Sequence, residues 1–501
     1  MQTCLIFAGS GVSTSAQGKQ LIEEHVHRDQ IKLVEALSKE LEEGNLAIFA
    51  GAGFSRAAGY VDWKTLLKPI ADDLDLDVEK EWDLVTLAQY HTNVNHTNRA
   101  KLNQLLVTEF STDLAPTDNH RILARLPIYT FWTTNYDKLI ESSLESNGKI
   151  PDVKYTVKQL ATTRRHRDAI VYKMHGDADH ASEAVLIRDD YERYHLAMQP
   201  FITALSGDLV SKTFLFLGFS FTDPNLEYIL SRVRIQYGKD QRQHHCILRR
   251  VSQDAGESEA DFEYRQRKEK LFEGELLRVG IKTTYVDEYG EITTILKAVE
   301  DKHKRRTIFV SGAAHDYSPW TQAEAEKFVY NLSREISKAD FRVISGFGLG
   351  VGSAVITGVL EQTIMNGGRL GSEQLVLRPF PQTQSGTRPL RELWREYRHT
   401  MIDHAGIAIF LFGNKLQGDI VVESNGMREE FDIAREKGVF VIPVGITGSI
   451  TRKFWEEVLA AFDPTTHQNG AQILPLLQAL GDDKTDFDAA TEIVLKLLRI
   501  I

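Results

Sequence analysis

Two polar segments that follow apolar runs carry residues able to do acid–base chemistry. Asn135 and Asp137 lie in the segment TTNYD, and His175 lies in the segment MHGD. Ligands of open α/β sheets bind beyond the carboxyl ends of the strands. Side chains there could hold ribose hydroxyls or orient a water molecule, and an accessible histidine such as His175 could accept a proton near neutral pH. Each has a plainer interpretation as well, because Asn and Asp commonly cap helices and an isolated histidine is usually structural.

Glycine turns follow two further apolar runs. Gly51–Ser55 reads GAGFS and Gly218–Asp223 reads GFSFTD. Glycines at a strand-to-helix turn let the backbone approach a pyrophosphate, although a tight turn without a ligand can have the same sequence. Ile6–Ser15 resembles Ile48–Ala57, and we favour the second copy because it continues into a long α/β region. Four strand ends with glycine and small polar residues in one domain favour a nucleotide site.

The second half of the chain has its own glycine-rich turn and several basic residues. The glycines that follow Phe341–Ser345 do not match G-x-G-x-x-G, but they could form a backbone nest for a phosphate; a crowded turn is the alternative. Arg398 lies among other charges on a helix predicted around Glu392–His404, where a solvated face is the plain interpretation. Lys415 follows a predicted strand, and Asn425–Glu430 opens another helix.

Short apolar segments alternate with helical patterns and predict two α/β domains with parallel sheets. The predicted strands of the first domain are Leu46–Ala50, Tyr129–Thr133, Ile170–Met174, Phe214–Phe219 and His245–Leu248. Those of the second are Thr307–Val310, Phe341–Ser345, Gln374–Pro379, Gly406–Phe412 and Val439–Val444. We interpret Val251–Lys270 as a surface excursion and the charge-dense Glu300–Arg306 as the interdomain boundary. The expected organisation is an N-terminal extension over 1–28, a first domain over 29–295 and a second over 303–501.

The composition restricts the class of protein. The chain has 501 residues, 42% hydrophobic and 26% charged, which is typical of soluble globular proteins with more than one core. A net charge of −11 and a pI near 5.9 argue against sequence-blind nucleic-acid binding. No apolar run approaches the ~20 residues of a membrane helix, so we expect a cytoplasmic protein with neither nucleic acid nor membrane as partner. Two cysteines, Cys4 and Cys246, cannot build a four-cysteine zinc site.

The four motifs of the first domain, in their order, resemble the sirtuin family over about Leu46 to Asp287. GAGFS is similar to its GAG-x-S loop, TTNYD to its T-x-N-x-D segment, MHGD to its catalytic HG and GFSF to its G-x-S motif. The resemblance implies a Rossmann-type parallel sheet that binds NAD+, with Asn135 and His175 as the catalytic residues. It places further NAD+ contacts at Ala50, Gly51, Ala52, Ser55, Asp137, Gly218 and Ser220.

This chain departs from sirtuin deacetylases in two respects. It lacks the four cysteines of their zinc ribbon, and it has Asp62-Trp63-Lys64 where they have D-F-R. A peptide deacetylase is therefore disfavoured, and cleavage of the nicotinamide–ribose bond remains. Water oriented by Asn135 and deprotonated through His175 could then attack the ribose, giving ADP-ribose and nicotinamide without any metal.

The second domain resembles the SLOG superfamily of nucleotide-sensing Rossmann-like domains. Asn425–Glu430 keeps a glycine and glutamates but lacks the P-G-G-x-G-T of the related nucleotide hydrolases, so ligand sensing is favoured over hydrolysis. A sirtuin-like domain followed by a SLOG domain resembles the NADase effectors of the bacterial Thoeris antiphage systems. Segments such as GFSFTDPNL, ISGFGLG and LRPFPQ carry that resemblance, which covers nearly the whole chain after Asp29.

The resemblance to Thoeris effectors implies a gated enzyme. A TIR-domain partner protein would make a cyclic ADP-ribose isomer, and this ligand would bind the SLOG domain and activate NAD+ hydrolysis, which depletes NAD+ and aborts infection. The expected activator contacts are Ser311, Gly312, Leu349, Arg378, Arg398, Lys415, Gly426 and Glu430. The family also implies a homotetramer formed through the sirtuin-like part, with further assembly on activation.

Two other functions are alternatives to the gated hydrolase. A nucleotide or NAD+ sensor without turnover would keep the fold, but retention of both Asn135 and His175 argues against it. A zinc-free sirtuin-like deacylase or ADP-ribosyltransferase would need a protein acceptor, of which the sequence gives no sign.

Overall fold

The computed structural model describes residues 16–110, 112–365, 374–380, 386–467 and 469–501. It divides the chain into two compact units, Met1–Glu300 and Asp301–Ile501. The first glycine turn, Ile6–Ser15, lies outside the described residues. The predicted boundaries lie within helices, because one helix runs continuously over Ala16–Glu42 and another over Gly290–Arg305.

The first unit is built on a seven-stranded parallel sheet of order β3-β4-β2-β1-β5-β6-β7. Its strands are β1 Leu46–Ala50, β2 Thr130–Thr133, β3 Pro151–Lys154, β4 Ala169–Lys173, β5 Thr213–Leu217, β6 His244–Arg249 and β7 Ile281–Val286. Strands β3 and β7 were not predicted, because polar residues interrupt both (PDVK and IKTTYV) and no continuous apolar run marks them. Ala50 of β1 pairs with Thr133 of β2 and with Leu217 of β5, so the carboxyl ends of the three strands lie level.

Helices cover both faces of this sheet. They are α1 Ala16–Glu42, α2 Ala52–Arg56, α3 Trp63–Asp73, α4 Leu84–Val94, α5 Ala100–Phe110, α6 Asp118–Arg125, α7 Leu139–Ser146, α8 Val157–Leu160, α9 Arg188–Ala197, α10 Gln199–Ser211, α11 Pro224–Tyr237, α12 Glu259–Arg278 and α13 Gly290–Arg305. The poorly periodic segment Val251–Lys270 proves to contain the first part of α12, a helix with a single buried residue, Leu276. Its weak amphipathic pattern follows from this exposure.

Strand β1 shows how the apolar runs build the core. Ile48 and Ala50 pack into one hydrophobic cluster, while Ala47 and Phe49 pack into another, and all four are buried. Successive side chains of a strand point to opposite faces, so a strand covered on both faces must be apolar throughout. The central position of β1 therefore explains why LAIFA is an uninterrupted apolar run.

The second unit has a five-stranded parallel sheet of order β10-β9-β8-β11-β14 and a separate antiparallel hairpin. The sheet strands are β8 Thr307–Ala313, β9 Arg342–Ser345, β10 Leu375–Leu377, β11 Ile407–Phe412 and β14 Phe440–Pro443, and the hairpin strands are β12 Asn414–Gln417 and β13 Ile420–Glu423. The parallel α/β architecture predicted for both domains is confirmed, whereas the hairpin was not predicted.

The helices of the second unit complete its layers. They are α14 Gln322–Lys338, α15 Gly352–Met365, α16 Leu390–Asp403, α17 Asn425–Glu436, α18 Ser449–Ala461, α19 Gly470–Ala479 and α20 Phe487–Ile500. The amphipathic face of α14 is typical: Phe328, Val329 and Leu332 are buried against the sheet. None of the helices in the part of the chain that the structure describes has the length and apolar character to cross a bilayer.

Candidate functional site

The glycine turns after β1 and β5 pack directly against each other. The backbone N–H of Gly51 donates to the carbonyl of Leu217 (2.9 Å), and that of Gly53 donates to the carbonyl of Gly218 (2.9 Å). Gly218 has φ +61°, and a Cβ there would lie 2.1 Å from the backbone nitrogen of Phe54. The chain order reverses between β1 and β5, and such switch points open the crevice in which α/β sheets bind ligands.

The amide of Asn135 is tied to the first glycine turn. Its Nδ2 donates to the carbonyl of Gly51 (2.9 Å) and to Oγ of Ser55 (2.8 Å). Oγ of Ser55 in turn donates to Oδ2 of Asp137 (2.6 Å), across 82 residues of sequence. The structure thus brings together four of the residues singled out in the sequence, at the carboxyl ends of β1 and β2.

Both carboxylate oxygens of Asp137 accept hydrogen bonds from within the first unit. Its Oδ1 accepts a hydrogen bond from the backbone N–H of Leu139 (3.0 Å) at the start of α7, which is a local turn contact. Its other oxygen holds Ser55. The carboxylate is buried, so it fixes the geometry of the loop as well as presenting charge near the crevice.

Lys173 is a buried residue of this site that sequence reasoning missed. Its Nζ donates to the carbonyl of Asp137 (2.6 Å), to that of Tyr136 (3.1 Å) and to Oδ2 of Asp177 (2.5 Å). Burial acts to lower the pKa of this ammonium, but Glu141 and Asp177 outweigh burial and raise the pKa above its ordinary value. The four-residue spacing between Lys173 and Asp177, the last residue of MHGD, is the one sequence feature that could have indicated this link between the TTNYD and MHGD motifs.

His175 is far less accessible than a position at an open strand end suggests. It is 3% exposed, and the rings of Tyr191 and Tyr194 on α9 lie edge-on to it at centroid distances of 5.4 and 6.2 Å. Its Nε2 lies 3.1 Å from Oδ2 of Asp223, an ion-pair distance without the alignment of a hydrogen bond. The expectation of an accessible histidine is therefore wrong for this conformation, because α9 and the start of α11 cover the ring.

Asp223 is the charged neighbour of His175. Burial acts to raise the pKa of its carboxyl, but His175 and the backbone N–H groups at the start of α11 outweigh burial and hold the pKa below its ordinary value. The carboxylate is therefore ionised at neutral pH.

The other predicted NAD+ contacts surround the glycine turns. Ala50 and Ser55 are buried, whereas Ala52 and Ser220 are exposed. Ser220 shares a hydrogen bond of 2.8 Å with Thr222 Oγ1. Its hydroxyl is therefore placed on the rim of the crevice rather than within the Asn135 network.

A second polar cluster lies in the second unit, again where the strand order reverses. Strand β8 pairs here with β11. Oγ of Ser311, on β8, donates to Oε2 of Glu430 (2.6 Å). Nε of Arg398 donates to the other oxygen of Glu430 (3.3 Å), and its NH1 donates to Glu429 (2.8 Å). Burial raises the pKa of Glu430, and the contacts with Ser311 and Arg398 oppose that rise.

Arg398 is not on a solvated helix face. It is 7% exposed, and its guanidinium stacks 4.9 Å from the ring centre of Phe380. Gly426 leaves room for it, since a Cβ at that position would lie 2.7 Å from NH2 of Arg398. Because the neighbouring Arg395 and Glu396 are charged, the sequence did not show that Arg398 is buried. Only the fold shows which side of α16 faces inward.

The remaining predicted activator contacts lie at or shortly after strand ends of the second unit. A Cβ on Gly312 would lie 2.7 Å from Val351, so the backbone of β8 is closely covered there. Leu349 is 81% exposed, although its carbonyl accepts from Ala314 N (2.9 Å). Arg378 is anchored by its backbone N–H to Ser345 (3.1 Å), at the end of β9.

Lys415 lies on the hairpin strand β12. The side chain of the preceding Asn414 accepts from the backbone N–H groups of His315 (2.8 Å) and Asp316 (2.9 Å), which holds the hairpin to the loop after β8. Within the described ranges neither Lys415 nor Arg378 has an ion-pair partner. Both side chains are half-buried cations.

Among the residues that the structure describes, no group of three or more His, Cys, Asp or Glu side chains is arranged to hold a metal ion. Cys246 is buried in β6, where burial raises the pKa of its thiol to about 12. Cys4 lies outside the described residues.

Two family models match the chain. Residues 129–272 match a SIR2-like domain, and residues 291–501 match the Sir2- and TIR-associating SLOG family. Both matches agree with the order of domains predicted from the motifs.

Three similar relatives carry the same name, NAD(+) hydrolase ThsA. The protein from Bacillus cereus (strain MSX-D12) is 51% identical over 93% of this chain and 98% of its own length. The one from Cytobacillus dafuensis is 48% identical over 87% of this chain and 89% of its own length, and the one from Enterococcus faecium is 42% identical over 94% and 99%. Identity of this degree over almost complete chains establishes that this chain belongs to the ThsA family of NAD(+) hydrolases.

Proposed function

We propose that the first unit hydrolyses NAD+ to ADP-ribose and nicotinamide, and that a cyclic ADP-ribose isomer bound to the second unit activates this reaction. The observation that carries the proposal is the network of Gly51, Ser55, Asn135 and Asp137, which joins the segment after β2 to the glycine turn that borders the switch point of the first sheet. The names of the ThsA relatives support the same substrate.

The proposed reaction breaks the bond between nicotinamide and ribose. The bond electrons go to the nicotinamide nitrogen, which loses its positive charge, and the ribose acquires oxocarbenium character. Water forms the new bond to the anomeric carbon and gives its proton to His175. Asn135 would orient the water or the ribose, because its amide already lies between the glycine turn and Ser55.

The NAD+ phosphates would bind at the glycine turn. The absence of side chains at Gly51 and Gly53 lets this turn pack against Gly218, and Ala52 is exposed at the start of α2. Asp137 would act on the nicotinamide ribose through its carboxylate, and Gly218 and Ser220 would line the ribose side. Since His175 is covered in this conformation, NAD+ must enter with a displacement of the residues around it.

The second unit offers a site for a ligand with a pyrophosphate and two riboses. Arg378, Arg398 and Lys415 would pair with the phosphates, and Glu430 would accept hydrogen bonds from ribose hydroxyls. Ser311, Gly312, Leu349 and Gly426 would complete the pocket. Because the ion pair of Arg398 with Glu430 is already formed, ligand binding would exchange internal contacts for contacts with phosphate.

In the cell, the proposed signal comes from a TIR-domain partner protein during phage infection. The activated enzyme would deplete cytoplasmic NAD+ and abort the infection. A homotetramer formed through the sirtuin-like unit, with further assembly on activation, completes the proposal.

The experiment is a NAD+ consumption assay on the full chain, with nicotinamide release followed by chromatography. We expect little turnover alone and strong turnover with one of several cyclic ADP-ribose isomers, each tested at a range of concentrations. ADP-ribose and nicotinamide should form in equal amounts. NAD+ binding without turnover under every condition would instead identify a sensor, and transfer of ADP-ribose to protein would identify a transferase.

A further inference from the structure

We infer that Asp223 is a positioning residue that orients the imidazole of His175 and stabilises its protonated form during NAD+ cleavage. The inference rests on the proposed NADase activity and adds a residue to which neither the motifs nor the relatives assign a role.

The geometry fixes the two groups against each other. Nε2 of His175 lies 3.1 Å from Oδ2 of Asp223, and their side chains are 4% and 10% exposed. The other carboxylate oxygen, Oδ1, accepts a hydrogen bond from the backbone N–H of Leu226 (2.9 Å), at the first turn of α11. The carboxylate is therefore held in place by a helix end, and one oxygen is left to face the imidazole.

The other groups that face His175 cannot replace this charge. Tyr191 and Tyr194 come from α9, and burial raises the pKa of both hydroxyls, so both are neutral at physiological pH. Lys173, on the strand that precedes His175, is paired with Asp177 and Glu141. Of the groups named, Asp223 is the one that presents an ionised oxygen to the ring.

The carboxylate of Asp223 beside Nε2 of His175 leaves Nδ1 as the nitrogen that can accept a proton. A small rotation of the imidazole would align the Nε2–H with Asp223, and Nδ1 would then keep the lone pair that accepts the proton of the attacking water. The positive charge that then forms on the ring lies beside a carboxylate in a buried site, where such an interaction is stronger than in water. Asp223 does not touch the substrate in this scheme and acts through His175.

The test separates the charge of Asp223 from its capping of α11. Asn and Ser also cap helices well, so Asp223→Asn and Asp223→Ser should preserve folding while they remove the charge. We expect each to lower kcat by about 10- to 100-fold, part of what a positioned general base contributes. The acidic limb of the pH profile of kcat/KM should move to lower pH, because removal of the carboxylate takes away an interaction that favours the protonated form of a neighbouring base.

Two control variants complete the design. Asp83→Asn alters the matched cap of α4, where Oδ1 accepts from Thr86 N (3.0 Å), and should leave rate and pH profile unchanged. Asp223→Glu keeps the charge and should keep the acidic limb in place even where kcat falls.

The outcomes distinguish this inference from the function on which it rests. Rates are measured on the full chain with the cyclic ADP-ribose isomer that activates the unmodified protein. A wild-type protein without NADase activity overturns both. An active wild type with Asp223→Asn or Asp223→Ser at normal kcat and an unmoved acidic limb overturns the role of Asp223 alone and leaves it a helix cap.

Discussion

The guanidinium of Arg398 and the carboxylate of Glu430 form an ion pair inside the second unit, with Nε 3.3 Å from Oε1 and both side chains 9% exposed. Breaking a buried pair by removing one partner leaves the other uncompensated. The stability of the second unit and the proposed ligand binding therefore depend on the same residues.

We therefore expect Arg398→Ala to have two effects. It should weaken activation by cyclic ADP-ribose by about 10- to 150-fold, the equivalent of one charge-assisted contact of roughly 1.5–3 kcal/mol. It should also destabilise the second unit by a few kcal/mol, since Glu430 loses its partner; roughly 3–5 kcal/mol is the usual cost of such a change.

The matched comparison is Lys415→Ala. Lys415 is half-buried and has no ion-pair partner within the described ranges, so its loss should shift the activation curve without a change in thermal stability. Activation curves, direct ligand binding and thermal unfolding should be measured on both variants. An unshifted curve in a folded Arg398→Ala protein would remove Arg398 from the pocket, and normal binding without activation would instead make it part of the relay between units.

Asn135→Ala and His175→Ala should each lower NAD+ turnover by at least ~10²-fold, the lower end of what positioned acid–base groups contribute. The exposed residues Asn147 and His195 provide matched controls, and their alanine variants should retain the wild-type rate. Turnover with saturating activator and circular dichroism of each variant are the measurements. A folded variant with near-normal turnover would show that the substituted residue has a structural role and not a catalytic one.

Gly218→Ala should damage both folding and turnover. A Cβ there would lie 2.1 Å from the nitrogen of Phe54, and the residue has φ +61°, so the two glycine turns would have to separate. We expect a cost of at least about 2 kcal/mol in the free energy of unfolding. Gly207→Ala is the control, since a Cβ in that helix meets nothing within 4 Å and should stabilise by up to about 1 kcal/mol. Equal stability of the two variants would contradict the close contact of the turns.

The first unit should lose stability as the pH falls from about 6.5 towards 4. Burial lowers the pKa of His120 and His244 to about 3 and that of His245 to about 4, against 6.5 when unfolded. The unfolded chain then binds more protons in this window, so each histidine contributes stability above pH 6.5 that is lost below it, at up to about 1.4 kcal/mol per pH unit.

Hydrogen exchange of peptides from β1 and β5, compared between pH 7 and pH 5 after correction for intrinsic rates, measures this loss. The ring of His120 lies tilted against that of Phe54 at a centroid distance of 4.1 Å, so His120→Phe keeps an aromatic ring there while it removes a titrating group. That variant should show a weaker pH dependence than the wild type. Identical dependence would exclude His120 as a source of the effect.

NAD+ turnover should continue in EDTA. The sirtuin zinc ribbon needs four cysteines and the chain has two. Loss of activity with EDTA and recovery with zinc would show that the interpretation is wrong.

The local pattern of residues was sufficient to predict the parallel α/β architecture and the segments that follow the carboxyl ends of its strands. An apolar run such as LAIFA must be buried on both faces, and the glycines after it must form a turn at the strand's carboxyl end. Both are properties of neighbouring residues, so they can be read without a fold. Strands β3 and β7 were not predicted, because polar residues interrupt them. Whether such a segment pairs with a sheet depends on the strand beside it.

Which side chains meet at those edges was decided by tertiary structure. Ser55 hydrogen-bonds to Asp137, 82 residues away in the sequence, and Ser311 hydrogen-bonds to Glu430, 119 residues away. Asp223, which follows β5, lies against His175, which follows β4. The charge runs around Arg398 predicted a solvated face, yet its guanidinium is buried, because the direction in which a helix turns its side chains depends on what packs against it. Burial and electrostatic pairing arise from contacts between distant segments, and for that reason the sequence could name the residues of the candidate site but not the environment of each one.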